Sequence, residues 1–260
     1  MRLHIHLQPM ARSSELPTDN YPLAAAVYRL LSSVAPEYAA FLHDEGFGVD
    51  GYEEREARPS SKRFKFFVFS RLAQRGKRIV EGRMRLNDSL VTWQIGSPMD
   101  EMMGALAESL LVNREVRIGD RWSEAAFQVA GIDVEAPPPP GPQLRGETLS
   151  PLFAAVDETD GAGKRIKHHV RADEARFGER LAMNLCEKYR ALTGESADPS
   201  GVRFRFTEPP RSQLVQYRDT DHKCWMGRFQ LAGEPALLRL AWEAGLGEAN
   251  SKGFGMIRAI

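Results

Sequence analysis

His43 stands one residue past Leu42, at the edge of an apolar helical face and in the last turn of a short helix. A helix C-terminus favours imidazolium, and a histidine placed there can move protons. Tyr28 borders the apolar stripe of the preceding helix and can reach the same edge. Helical geometry alone also admits a plain surface or structural histidine.

A second signal is basic. Lys62, Arg63, Lys65, Arg71, Arg75, Lys77, Arg78, Arg83 and Arg85 stand in one stretch against a single Glu81, with Phe64, Phe66, Phe67 and Phe69 interleaved. Cations on a sheet neutralise phosphates and aromatic rings stack on unpaired bases, so single-stranded RNA is a candidate partner. The competing reading is a solvated sheet face with the phenylalanines in the core.

The third signal is "GLGEANSKGFG", Gly245–Gly255. A helix C-cap accounts for Gly245 and leaves Gly247, Gly253 and Gly255 over. Repeated glycine permits close backbone approach and can aim successive N–H groups at an anion, with Asn250, Ser251 and Lys252 beside them. The order helix–loop–strand excludes a dinucleotide fingerprint, and no GK[ST] is present for a P-loop.

Other chemistry is weaker. His4 and His6 share a strand face without a carboxylate or thiol at ligand spacing, so a metal is not expected. His168 and His169 follow a basic strand, and His222 falls in a polar turn. Cys186 and Cys224 form no CxxC pair, which argues against a disulfide framework and favours a reducing cytoplasm. Lys+Arg 35 balances Asp+Glu 35, so any nucleic-acid argument rests on local clustering. No membrane-length apolar run and no signal-peptide core are present, and a soluble protein with no membrane partner is expected.

These residues must be positioned by a particular order of elements. "RLHIHLQ" alternates as a strand; "YPLAAAVYRLLSS" and the segment from Pro36 to about Gly46 are helices; "RFKFFVFSRL", "RIVEGRMRL" and "LVTWQI" read as strands. "PMDEMMGALAESLLVN" is a helix, and 115–134 a strand or hairpin. After the prolines of "EAPPPPGPQ" the order recurs. "TLSPLFAAV", "KRIKHHV", "GVRFRF", "QLVQY", "KCWMGRFQLAG" and "FGMIRAI" read as strands, with helices over 173–194 and 234–245. Two β-α-β-β-α-β units give an α+β fold of tandem ferredoxin-like domains, with antiparallel sheets and helices on one face. The expected division is 1–134, a proline-rich linker over 135–147, and 148–260.

Taken with "AVYRLLSSVAPEYAAFLHDEGF", "KRFKFFVFSRL" and "KCWMGRFQLAGEPALLRLAWEAGLGE", the loop "AGLGEANSKGFGMI" resembles the C-terminal glycine-rich signature of the RAMP superfamily. Within it, the chain is similar to the CRISPR-associated endoribonucleases that cut precursor crRNA inside its repeats. The resemblance implies metal-independent cleavage with no cofactor, by attack of a 2′-OH to leave a 2′,3′-cyclic phosphate and a 5′-OH. It implies catalysis by His43 and Tyr28, with Lys65 steadying charge on the phosphate. RNA binding would fall to Gly245, Gly247, Asn250, Ser251, Lys252, Gly253, Gly255, Lys62, Arg63 and Arg71. The implied partners are repeat RNA, the subunits of a CRISPR effector complex and a second copy of the chain. A non-catalytic crRNA-binding subunit is the alternative.

Overall fold

A computed structural model describes residues 1–11, 14–48, 62–159, 161, 163, 165–217 and 220–260. The acidic connection over 49–61 and Lys164 lie outside the described residues.

Alternation in β1 (Arg2–Pro9) buries Leu3, Ile5 and Leu7. β2 (Glu15–Pro17) follows, then α1 (Tyr21–Val34), whose Leu23, Val27, Leu30 and Leu31 face the core, and α2 (Pro36–Asp44). Next come β3 (Val68–Phe69), β4 (Ala73–Gln74), β5 (Arg78–Val80), β6 (Arg83–Arg85) and β7 (Val91–Gly96). α3 (Asp100–Asn113), β8 (Glu115–Gly119) and β9 (Glu124–Glu135) complete this half. Its main sheet runs β3-β7-β1-β9-β8, antiparallel at each pairing. With β3, β7 and β9 as second, third and fourth strands, this is the split β-α-β order of a ferredoxin-like unit.

The second half holds β10 (Gln143–Thr148), β11 (Ala155–Thr159), β12 (Arg165–His169) and α4 (Ala175–Thr193). It continues with β13 (Arg203–Phe206), β14 (Arg211–Tyr217), β15 (Thr220–Met226), β16 (Arg228–Ala232), α5 (Pro235–Ala244) and β17 (Ile257–Ala259). The sheet order β13-β16-β10-β17 repeats the ferredoxin-like plan, and the hairpins β11-β12 and β14-β15 are additions to it. Among the described residues, no helix is long and apolar enough to cross a membrane.

Several elements differ from the sequence reading. β10 begins at Gln143, inside the stretch assigned to the linker, and pairs with β16 and β17. The connection between the sheets is therefore 136–142. "TLSPLFAAV" is no single strand: the Pro151 carbonyl accepts from Gly255 N–H at 2.8 Å, and Leu152 bridges to Trp225. "KCWMGRFQLAG" divides at Gly227, with β15 in a hairpin and β16 in the central sheet. His222 lies within β15 and not in a turn.

The largest departure is "RFKFFVFSRL", of which only Val68–Phe69 is regular strand. Phe66 takes φ +48°, and its carbonyl accepts from the Ser97 hydroxyl at 2.6 Å, which breaks the alternation. Phe67 and Phe69 then enter the core of the first half beside Trp93, while Phe64 and Phe66 enter the core of the second beside Leu181 and Ala241. One short segment thus serves both cores. Arg2 reinforces the junction, stacking 4.2 Å over the Trp242 ring and donating to the Trp242 carbonyl at 2.5 Å.

Candidate active site and nucleic-acid interface

The aromatic segment and the glycine loop are about 180 residues apart in sequence, yet they face each other. Between them lies a cleft of about 330 Å³ lined by Lys62, Arg63, Lys65, Gly247, Asn250, Ser251 and Lys252, with Asn184 and Lys188 from α4. Roomier hollows on the second half, of about 670 Å³ beside residues 204–210 and about 710 Å³ beside 211–213, contain none of the expected site residues. Arg71 is not brought to this cleft. It lines a separate small cavity with Leu16 and Lys77, and donates to Gln213 Oε1 at 3.0 Å.

His43 and Tyr28 meet as expected. α2 packs against α1, and the two rings stand edge-to-face with centroids 5.5 Å apart. Tyr28 is fixed from the other side by Phe67 at 5.7 Å. Burial, with Tyr217 and Asp44 adding, pushes the Tyr28 hydroxyl well above the ordinary tyrosine range. Tyr28 therefore stays protonated and can give a hydrogen bond but not act as a base. His43 is exposed, and its Nδ1–H donates to Asp44 Oδ1 at 2.7 Å, which leaves Nε2 as the ring nitrogen able to take a proton.

Lys65 joins this pair to the cleft. Its ammonium donates to the carbonyl oxygens of Leu42 and His43, capping the helix that carries the histidine. Burial lowers its pKa; Asp44 opposes this and Lys252 adds to it. Two of its three N–H groups are spent on the helix end, so charge stabilisation is left to the remaining one.

The glycine loop is built differently from an open anion cradle. Gly253 and Gly255 are buried, and the Gly245, Gly253 and Gly255 N–H groups donate to the carbonyls of Ala241, Asn250 and Pro151. Gly255 has φ +82°, and a Cβ there would sit 1.9 Å from the Leu246 oxygen. At Gly253 a Cβ would meet the Phe69 ring at 2.6 Å, and its carbonyl accepts from Asn20 Nδ2 at 2.9 Å. These glycines exist for packing against each other and against the first half of the chain. Asn250 is also internal, its amide donating to Leu246 and Phe254 carbonyls at 3.0 Å. The loop's less buried residues are Glu248, Ala249 and Ser251, all half-buried, and Lys252, exposed, with its ammonium 5.2 Å from the Tyr217 ring centroid.

The basic stretch is likewise less free than its composition suggests. Lys62 pairs with Glu187 at 2.6 Å, Arg83 with Asp120 at 3.5 Å and Arg85 with Glu15 at 2.7 Å. Phe64, Phe66, Phe67 and Phe69 are all buried, so these four rings form no stacking platform on a sheet surface. The carboxylates beside His4 and His6, Glu135 and Asp133, come from β9 and so could not be found by spacing along β1. Among the described residues no group of three or more His, Cys, Asp or Glu could hold a metal ion.

Sequence reasoning missed Asp44, the neighbour that orients His43, and Lys188. The Lys188 ammonium is buried and donates to the Gly245 and Gly247 carbonyls at 2.7 and 3.1 Å, fixing the entry of the glycine loop. Its position four residues after Asn184 on α4 was the available signal, since both fall on one helix face.

Residues 136–259 match the family model for the CRISPR associated protein Cas6, C-terminal. Over 257 residues the chain is 28% identical to the CRISPR-associated endoribonuclease Cas6 1 of Methanocaldococcus jannaschii, covering 94% of this chain and 90% of that protein. It is 24% identical over 264 residues to the putative CRISPR-associated endoribonuclease-like protein Cas6nc of Pyrococcus horikoshii, with 100% of both covered. A solved structure described as CRISPR associated protein Cas6 superposes with a TM-score of 0.77 at 27% identity, covering 100% of this chain and 99% of that one. Residues 136–259 thus match the Cas6 C-terminal domain, and the whole chain is similar to Cas6 proteins in sequence and in its tandem ferredoxin-like fold.

Proposed function

We propose that this protein is a metal-independent endoribonuclease that cuts CRISPR precursor RNA within its repeats. The observation that carries the reading is the convergence of His43, Tyr28 and Lys65 beside a cleft whose rim bears Lys62, Arg63 and Lys252. The strand lies along that rim, its phosphates facing the three cations.

His43 Nε2 takes the proton of the 2′-OH next to the scissile phosphate, and Asp44 holds the imidazolium that forms. The 2′-oxygen bonds to phosphorus as the bond to the 5′-oxygen breaks. Tyr28 donates its proton to that 5′-oxygen, an alkoxide far more basic than a phenolate even when burial makes the phenol a weak acid. Products are a 2′,3′-cyclic phosphate and a 5′-OH, and the site resets as His43 releases its proton to water and Tyr28 takes one up from water, with no net change. Lys252, at the rim, offsets charge on the phosphate oxygens. The guide RNA so made is retained or passed to effector subunits.

The name of the Pyrococcus horikoshii relative, endoribonuclease-like, motivates a second reading in which the chain binds crRNA without cutting it. Incubation of purified protein with its genome's repeat RNA in EDTA separates the two. The enzyme reading requires cleavage that a 2′-deoxy at the scissile nucleotide abolishes. Binding without cleavage supports the second reading, and cleavage that survives the 2′-deoxy overturns the mechanism.

A further inference from the structure

Asn184 is 1% exposed, and its Oδ1 has no hydrogen-bond partner among the described residues. It sits on α4, one turn before Lys188, and lines the cleft. Lys188 does not satisfy it: that ammonium donates to the Gly245 and Gly247 carbonyls, and Asn184 Oδ1 is left without a partner among the described residues. A buried acceptor left without a donor is costly, and where it lines a cleft a group that arrives from outside can satisfy it.

The chemistry of that group is restricted. An oxygen acceptor needs an N–H or O–H, which a phosphate diester lacks and a base edge or a sugar hydroxyl supplies. The surrounding wall favours the base. Phe66 and Phe153 line the same cleft, and His222 lies against Phe153 with centroids 4.7 Å apart. The cleft volume, about 330 Å³, falls in the small-ligand range of roughly 300–1,000 Å³. Lys62, Arg63 and Lys252 are the more exposed cations of the lining, the buried Lys188 is engaged by the glycine loop, and Asn184 is buried, so a nucleotide can enter base first with its phosphates outside. Unstacked bases in RNA are read in this way, by amide contacts to their edges between apolar walls.

We propose that the Asn184 carboxamide binds the edge of one unstacked nucleobase in this cleft, and so sets where the strand lies relative to His43. The inference rests on the RNA-binding reading above and adds a specificity residue to it.

The test is a double-mutant cycle between protein and RNA. Repeat RNAs carrying a single abasic nucleotide at each position in turn are titrated against the wild type and Asn184→Leu. At one position the abasic change should weaken wild-type binding about tenfold and leave Asn184→Leu unaffected. Losses that simply add at every position, or a flat scan in the wild type, would overturn the subsite. So would coupling that appears with a 2′-deoxy substitution and not with the abasic one, which would make the partner a sugar hydroxyl. If Asn184→Leu melts early, Asn184→Ala carries the same cycle. A wild type that binds no repeat RNA removes the RNA reading itself, a result distinct from binding with a flat scan.

Discussion

The Lys65 ammonium caps the helix that ends at His43, reaching the His43 carbonyl itself. A cation in that position is worth about 0.3–1 kcal/mol to the helix end, and its effect on RNA passes through the histidine it steadies. Lys65→Ala should therefore slow cleavage while the salt dependence of RNA affinity stays unchanged, and Lys65→Arg should recover much of the rate. Lys252→Ala should instead lower the salt slope by about one, as loss of a phosphate contact does. A slope that falls for Lys65→Ala would make Lys65 a phosphate ligand.

Burial holds the Tyr28 hydroxyl above its ordinary range, so it stays protonated from pH 6 to 9. Tyr28→Phe keeps the ring contacts with Phe67 and His43 and loses only the donor. Cleavage should fall about 10²-fold, by the same factor at pH 6 and pH 9. A wild-type-to-variant ratio that changes tenfold across that interval would show that Tyr28 titrates within it.

Lys188 is lowered well below the ordinary lysine value of 10.5, chiefly by burial and then by Lys62. Between its folded value and 10.5 the unfolded chain holds a proton that the folded chain releases, so stability rises with pH in that interval. Lys188→Met should cost about 1–3 kcal/mol for each loop carbonyl left unpaired. The gap to wild type, followed by urea unfolding, should widen as pH rises towards 10; a gap that narrows contradicts the assignment.

Gly255→Ala places a methyl group against the Leu246 carbonyl at positive φ. Loss of more than about 1 kcal/mol is expected, with weaker RNA binding because Ser251 and Lys252 lose their frame. Thermal melting and titration check it. A variant as stable as wild type would mean that the loop closes in another way.

The tandem architecture and the meeting of Tyr28 with His43 were legible because periodicity and helix ends are local signals. The glycine loop was conspicuous in the sequence, but the reason for each glycine was not legible there. Spacing marks where glycine is required, but cannot tell whether the crowding neighbour is a phosphate or, as for Gly253, the Phe69 ring. Strand alternation failed at Phe66 because a positive φ, imposed by a segment shared between two cores, carries no sequence mark outside glycine and asparagine. Charge counting overrated the basic stretch, since the partners of Lys62 and Arg83, Glu187 and Asp120, lie far along the chain.

The most direct measurement of the central claim is single-turnover cleavage of repeat RNA by His43→Ala, with affinity measured on the same preparation. His43 is exposed, and among the described residues its side chain is hydrogen-bonded to Asp44 and touches the Tyr28 ring, so the variant should fold and bind RNA within about twofold of wild type. Its cleavage rate should fall about 10²–10⁴-fold. Cleavage at the wild-type rate with intact binding would contradict the account and place the chemistry elsewhere on the molecule.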